Sequence, residues 1–447
     1  MNKALLHKKF THSLQWNAIF YFANKAFITI LTFLLFYREK SAIFSLWANT
    51  NSFIFIFSLW FDCGLRKSIP RYCVEFKKKG LLQQFFMVIF IIKAAIFLIL
   101  IPFFFITAKI FFQTLALPYT QKILFTATAL FLIEGSNNCI KQFYHAHFWN
   151  KWHTIISTGG LCIESIVSSL IIFLFHGKEM VFYLLLLQVI MRTLITITSF
   201  IILRIKTAHF DNELQEAKGK NTYILYHKFI RHSLMMWFSN TIKSLTERNV
   251  LLPFLTMILG VAQGNLYKMI NDMVLLFHRP YIKIIGSSDT LLFTHLAEYK
   301  NKEKRLTISC VKLSTQIARC CIPLFVFVVL LSFGKFFMGK SDFYVISIFL
   351  IILSARFIET IVSPYERLLE VMQSYRLLIT AYTPYIGMIL ILFSFPIVSL
   401  IGLFLTLVLI HFVRLVSLFL IVLFSREAFL EKSKNNLSPL LSSLKGW

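Results

Sequence analysis

The chain has 447 residues, 57% of them hydrophobic and 15% charged, against about 45–50% and about 25% in an ordinary soluble domain. Its formal net charge is +26, from 46 Lys+Arg and 20 Asp+Glu. This balance excludes a soluble enzyme, a disordered regulator and a disulfide-stapled secreted domain, and leaves a protein that is mostly membrane.

A membrane-crossing helix needs about 20 mainly apolar residues. In chain order, the apolar stretches predict twelve spans, near 15–36, 42–61, 81–106, 121–140, 154–175, 180–204, 233–258, 265–285, 308–333, 342–364, 377–397 and 399–424. The basic start is followed by a long apolar stretch without a small-residue cleavage site, so the first helix is expected to stay in the mature protein. With both termini inside, Lys3, Lys8, Lys9, Arg66, Lys67, Arg71, Lys77, Lys78 and Lys79 fall on the inner face. Lys300, Lys302, Lys304, Arg305, Arg426, Lys432, Lys434 and Lys445 fall there too. Inner basic residues then outnumber outer ones roughly four to one. The predicted outer loops are too short for a soluble catalytic domain. The expected fold is an all-α polytopic membrane protein, placed in a bacterial cytoplasmic membrane with both termini cytoplasmic.

The chain halves near residue 223, and the first six span starts, shifted by that amount, fall close to the second six. Val74 to Lys79 recurs as Ala297 to Lys302, and Ile133-Glu134 as Ile358-Glu359. Lys25 maps onto Arg248, and Arg192 lands beside Arg414. Six spans per half give both halves the same orientation, as in a parallel repeat about an axis along the membrane normal. The expected domains are an N-terminal lobe at 1–206, a linker at 207–232, a C-terminal lobe at 233–425 and a tail at 426–447. The two lobes are expected to face each other across a central cavity.

Ionisable groups inside a span are costly and usually face protein or a water-filled cavity. The embedded set comprises Lys25, Lys93, Glu134, Glu164, Arg192, Lys243, Glu247, Arg248, Lys268, Asp272, Arg319, Arg356, Glu359 and Arg414. Lys243/Glu247 and Lys268/Asp272 stand at i,i+4 and Arg356/Glu359 at i,i+3, so each can be a local ion pair. Lys25, Lys93, Arg192, Arg248 and Arg319 have no partner on their own helix. A cleft lined by such cations favours an anionic ligand, with phosphate or diphosphate the obvious class. Lys25, Arg248, Lys93 and Arg319 are the candidate ligands for it, and snorkelling to a headgroup is the plainer alternative. Glu134, Glu359, Lys268 and Asp272 are candidates for coupling or gating.

No Cys or His spacing resembles a zinc site, and the cluster His145, His147 and His153 has no thiol or carboxylate to complete it. No metal or cofactor is expected. Gly334 to Ser341 fits a phosphate-loop pattern, but it links two spans and lacks the strand and soluble helix that such a loop requires. No nucleic-acid partner is expected, since the positive charge is explained by topology.

After two spans comes Asp62-Cys63-Gly64-Leu65-Arg66-Lys67-Ser68-Ile69-Pro70-Arg71-Tyr72, then Glu75 and a basic run. With Asp62, Gly64, Arg71 and Glu75 as its marks, this resembles the polysaccharide-exporter, O-antigen flippase-like branch of the multidrug/oligosaccharidyl-lipid/polysaccharide (MOP) flippase superfamily. Leu259 to Tyr267 is similar to that family's turn into the eighth helix, with one residue more between Gly264 and Tyr267. The resemblance implies a non-enzymatic flippase, with two six-helix lobes around a basic cavity. It would move an isoprenoid-diphosphate oligosaccharide for lipopolysaccharide assembly by alternating access, with possible H⁺ or Na⁺ coupling. The alternatives are a cation-coupled multidrug exporter of the same superfamily, which needs an unpaired cavity carboxylate, and a membrane-embedded polymerase or ligase, which needs carboxylates on a sizeable outer loop.

Overall fold

The computed structural model describes residues 15–16, 19, 23, 26–147, 149–212, 222–245, 248–275, 343–371, 375–394, 402, 405–418 and 420–421. Among these residues all regular structure is helical. The first half supplies α1 (Ala26–Arg38), α2 (Ser41–Trp60), α3 (Leu65–Lys78), α4 (Leu82–Thr114), α5 (Gln121–Ala146), α6 (Asn150–Leu174) and α7 (Gly177–Asn212). The second half supplies α8 (Thr222–Ser244), α9 (Arg248–Leu259), α10 (261–275), α11 (Phe343–Val371), α12 (Tyr375–Ser394) and α13 (Leu405–Leu418). Among the described residues α2, α4, α5, α6, α7 and α11 are long and apolar enough to cross a membrane.

Where a helix sits follows from how its apolar residues are distributed. On α4, Ile91, Leu98, Ile99, Phe103, Ile106 and Ile110 are exposed along one side, while Phe97, Phe104, Ala108 and Phe112 are buried along the other. One side is open to lipid and the other meets α5, where Phe104 stacks on Phe131 at 4.7 Å. By contrast α2 is buried almost throughout, with Ser45, Asn49, Thr50 and Ser52 among its buried residues. It touches α5 and α7 in its own half and α8 and α9 in the other, so it forms the seam between two lobes.

Shifting the starts of α5 and α6 by 223 gives 344 and 373, against observed starts at Phe343 for α11 and Tyr375 for α12. The internal repeat is therefore present in the helix frame. Three segments differ from the spans expected above. The seventh span is divided between α8, which ends at Ser244 and is followed by a turn at Leu245, and α9, which starts at Arg248 within the polar run Ser239 to Asn249; residues 246–247 lie outside the described ones. The tenth runs through Pro364, where its end was expected, to Val371. The stretch 207–232 is helical at both ends, because α7 reaches Asn212 and α8 starts at Thr222. Polar composition alone does not stop a helix, and 207–218 contains neither Gly nor Pro.

The turn between α2 and α3 shows what the Asp62–Tyr72 motif does structurally. Gly64 has φ +71°, a left-handed conformation that glycine adopts without penalty. A Cβ there would also run into the backbone of Ser233 on α8. Asp62 accepts the Arg66 backbone N–H at 2.7 Å, capping the first turn of α3, and pairs with Lys93 of α4. Leu65, Ile69, Tyr72, Cys73 and Phe76 form the buried stripe of α3, and the Tyr72 hydroxyl donates to the Lys228 carbonyl at 3.0 Å. The motif is thus an elbow that docks one lobe on the other. Arg71 and Glu75 lie one turn apart on this helix, both half-buried.

Gly64→Ala is expected to cost more than Gly177→Ala in a thermal melt of the detergent-solubilised protein. Both positions have positive φ, but a Cβ at Gly177 meets open space. The conformational penalty of about 1–2 kcal/mol is common to both, and only Gly64 adds a backbone collision.

Candidate functional site

Besides the Lys93–Asp62 pair at the elbow, buried charges gather at three places among the described residues. In the first lobe Arg192 of α7 lies between Glu134 of α5 and Glu164 of α6. Its Nε stands 3.4 Å from Glu134 Oε1 and 3.6 Å from Glu164 Oε2. Glu164 is buried, and its Oε2 accepts no hydrogen bond. Two carboxylates share one guanidinium, so the fully ionised cluster carries one surplus negative charge. Such a site can take up a proton or a small cation. Arg192 lacks a partner on its own helix because its partners lie 28 and 58 residues earlier in the chain.

In the second lobe the balance is reversed. Glu366 of α11 is fully buried and pairs with Lys243 of α8 and Arg414 of α13. The Tyr382 hydroxyl of α12 donates to it at 3.0 Å. Next to this, Arg356 Nη1 donates to Glu359 Oε2 at 2.8 Å. Here three cations accompany two carboxylates, and the Arg414 guanidinium also stands 5.3 Å from the Tyr385 ring. Lys243 takes Glu366 as partner, whereas Glu247, its expected i,i+4 partner, lies outside the described residues. Sequence reasoning missed Glu366 because the tenth span was ended at Pro364. The signal that could have found it is Arg414 itself, a deep cation in need of an acid.

The third place is the seam. Lys268 and Asp272 of α10 form the expected i,i+4 pair, at 2.7 Å, and Thr32 of α1 donates to the same Asp272 oxygen at 3.0 Å. Asn265 donates to the Ser41 carbonyl and hydroxyl at 2.8 Å each. Asn49 approaches Thr256 at 3.4 Å. Towards the elbow, Trp60 Nε1 donates to Ser244 at 2.8 Å and Trp237 Nε1 to the Trp60 carbonyl. Apart from those at the Asp272 carboxylate, these ties are neutral hydrogen bonds.

The expected diphosphate ligands are dispersed. Lys93 is buried against Asp62, with the Phe97 ring 4.6 Å away. Arg248 is the first residue of α9. Lys25, Arg319 and the Gly334–Ser341 loop lie outside the described residues. Among those described, no group of three or more His, Cys, Asp or Glu side chains is placed to hold a metal ion.

No family model and no curated protein sequence matches the chain. Thirteen chains of solved structures do. A Vibrio cholerae MATE transporter aligns at TM-score 0.66 and 11% identity, over 95% of this chain and 98% of its own. The outward-facing form of a multidrug resistance MATE family transporter of the MOP superfamily gives 0.66 at 11% identity, over 94% and 96%. A eukaryotic MATE transporter gives 0.60 at 14% identity, over 94% and 96%. The fold is that of the MATE transporters. The chain is accordingly an all-α polytopic membrane protein with twelve spans in two lobes. At such identities the likeness is one of fold alone.

Glu366→Ala would leave the buried Arg414 and the part-buried Lys243 without this carboxylate. The expected loss is about 3–5 kcal/mol of stability, the cost of breaking a buried pair from one side. It should appear as a lowered melting temperature or loss of the monodisperse peak in size-exclusion chromatography.

Proposed function

We propose that the chain is a cation-coupled exporter that works by alternating access between its two lobes. The observation that carries this reading is the acid-rich cluster Glu134, Glu164 and Arg192. A surplus buried carboxylate is expensive in a membrane and is best explained by a cation that comes and goes. One proton or Na⁺ neutralises the cluster, so the loaded and unloaded first lobe differ by one charge. That difference can bias which face the lobes open. The acids come from the fourth and fifth expected spans, Glu134 on α5 and Glu164 on α6, and supply the surplus cavity carboxylate that a cation-coupled exporter needs. The shared fold with transporters described as multidrug resistance proteins supports the same reading. The basic face that bears Arg66, Lys67, Arg71 and Lys77 is assigned to the cytoplasm of a bacterial inner membrane by the positive-inside rule.

One observation favours a second reading, the movement of a lipid-linked oligosaccharide. The seam residues Ser41, Ser45, Asn49, Thr256 and Asn265 are hydroxyls and amides, and Asn49 Oδ1, Asn265 Oδ1 and both side-chain polar atoms of Asn271 are buried without partners. A polyhydroxylated cargo could satisfy such groups when the lobes part. In that reading Lys25, Arg248, Lys93 and Arg319 remain the proposed diphosphate ligands.

Proteoliposomes bearing a pH or Na⁺ gradient separate the two. The expected result is gradient-driven efflux of a cationic dye. Glu164→Gln should reduce it to the level of empty liposomes while the solubilised variant still melts close to the parent. Gradient-independent flipping of a labelled isoprenoid-diphosphate saccharide, with no dye efflux, would instead establish the second reading.

A further inference from the structure

The only ion pair among the seam contacts described above has more built around it than a local pair requires. Lys268 Nζ donates to Asp272 Oδ2 at 2.7 Å and stands 5.5 Å from the centroid of the Trp47 ring, which belongs to α2 on the opposite lobe. Thr32 of α1 donates to the same Asp272 oxygen, and the Thr29 hydroxyl reaches the Asp272 carbonyl at 3.5 Å. Lys268, Asp272, Trp47, Thr29 and Thr32 are all buried. An i,i+4 pair on a helix surface contributes only about 0.2–0.5 kcal/mol and needs neither a tryptophan nor a second lobe. A carboxylate and an aromatic face around one ammonium, with hydroxyls holding the carboxylate's residue in place, form the environment that receives an organic cation. Here the cation is tethered to the protein.

We propose that Lys268 is a built-in occupant of a cargo-cation site formed by Asp272 and Trp47, and that its ammonium holds the seam closed until a cargo cation takes its place. The inference rests on the exporter reading and describes how that exporter's cargo site is regulated. Exchange of one cation for another keeps the Asp272 carboxylate compensated throughout, so the buried acid is never left bare. Without cargo, the lysine bridges Asp272 of one lobe to Trp47 of the other and disfavours empty opening. Cargo binds where the lysine has left, so it interacts differently with the open and closed forms and can shift their populations. When the lobes part, the displaced ammonium has the Asn265 Oδ1 within one turn of its own helix, an oxygen that is buried without a donor in the closed seam.

The test uses full-length protein in detergent, with tetraphenylphosphonium as the probe cation. Spin labels at Lys40→Cys and Ala262→Cys, both exposed positions near one end of the seam, report lobe separation once the seven native cysteines are replaced. With Lys268 intact, the probe is expected to lengthen the label distance. Lys268→Met should bind the probe roughly tenfold more tightly, since the internal competitor is gone. Lys268→Arg should not gain affinity, and Asp272→Asn should lose binding in either background. A folded Lys268→Met with unchanged or weaker affinity would overturn the proposal. So would a label distance that ignores saturating probe. If Lys268→Met does not fold because Asp272 is left bare, the distance measurement on the Lys268 protein decides alone. Binding and lobe separation need no gradient. Failure of driven efflux with a positive result here would sink the exporter reading and not the seam site; the opposite pattern would sink only the seam site.

Discussion

A charge inside a membrane must be met by another charge, and that partner generally has to come from a neighbouring helix. Leaving it unmet costs about 2.5–3.5 kcal/mol even on the gentlest scale. In this chain the rule fixes which helices are neighbours. Arg192 binds α7 to α5 and α6. Arg414 and Lys243 bind α13 and α8 to α11 through one carboxylate. Lys93 binds α4 to the elbow after α2. Apolar packing cannot specify these choices alone, because lipid tails are as apolar as the helix faces. The arginines of the two lobes lie 222 residues apart, at corresponding places in the repeat, so the same constraint is met twice by the same device.

The two lobes use that device to different ends. Glu366 is held by two cations and a tyrosine hydroxyl, which fix it in place. The first lobe has the opposite ratio, and Glu164 Oε2 has no donor. A carboxylate saturated with donors belongs to the scaffold, and one with spare capacity can exchange a cation. The common ancestry implied by a repeat does not require common chemistry. Glu366 has two cations to itself, whereas Arg192 is shared by two carboxylates, so the same device closes one cluster and leaves a surplus acid in the other.

The span pattern and the repeat were legible because they rest on length and hydropathy, which each segment carries by itself. The local pairs Lys268/Asp272 and Arg356/Glu359 were legible for the same reason, since a helix fixes the i,i+4 and i,i+3 spacings. The remaining pairings were not. Lys93 and Asp62 are 31 residues apart, and Lys243 and Glu366 are 123 apart. Nothing in either local sequence states that the two will meet. Glu366 was hidden by Pro364, which normally argues for a helix end; in a membrane, neighbouring groups can satisfy the freed backbone and the helix continues. Gly64 could be recognised as part of a motif, but the reason for glycine is the approach of Ser233, 169 residues away.

The seam combines two kinds of contact, and their order along α2 matters. At the elbow end, Gly64 abuts the Ser233 backbone, and the Trp237 and Tyr72 side chains reach backbone carbonyls. Such contacts depend on close approach of the main chain and are lost with small changes of spacing. At the far end no main chain abuts main chain among these contacts: the Asn265 amide reaches the Ser41 carbonyl and hydroxyl and the Asn49 amide approaches Thr256, and both amides can rotate. A neutral hydrogen bond contributes only about 0.5–1.5 kcal/mol net, because water replaces it when it breaks. The far end can therefore part at small cost while the elbow end stays docked. The break between α8 and α9 falls between these two regions: α8 carries the elbow contacts and α9 carries Thr256. A continuous helix would couple the two ends rigidly. With α8 ending at Ser244 and α9 starting at Arg248, separate helices carry the two ends, and the Lys268–Asp272–Trp47 contact lies at the far one.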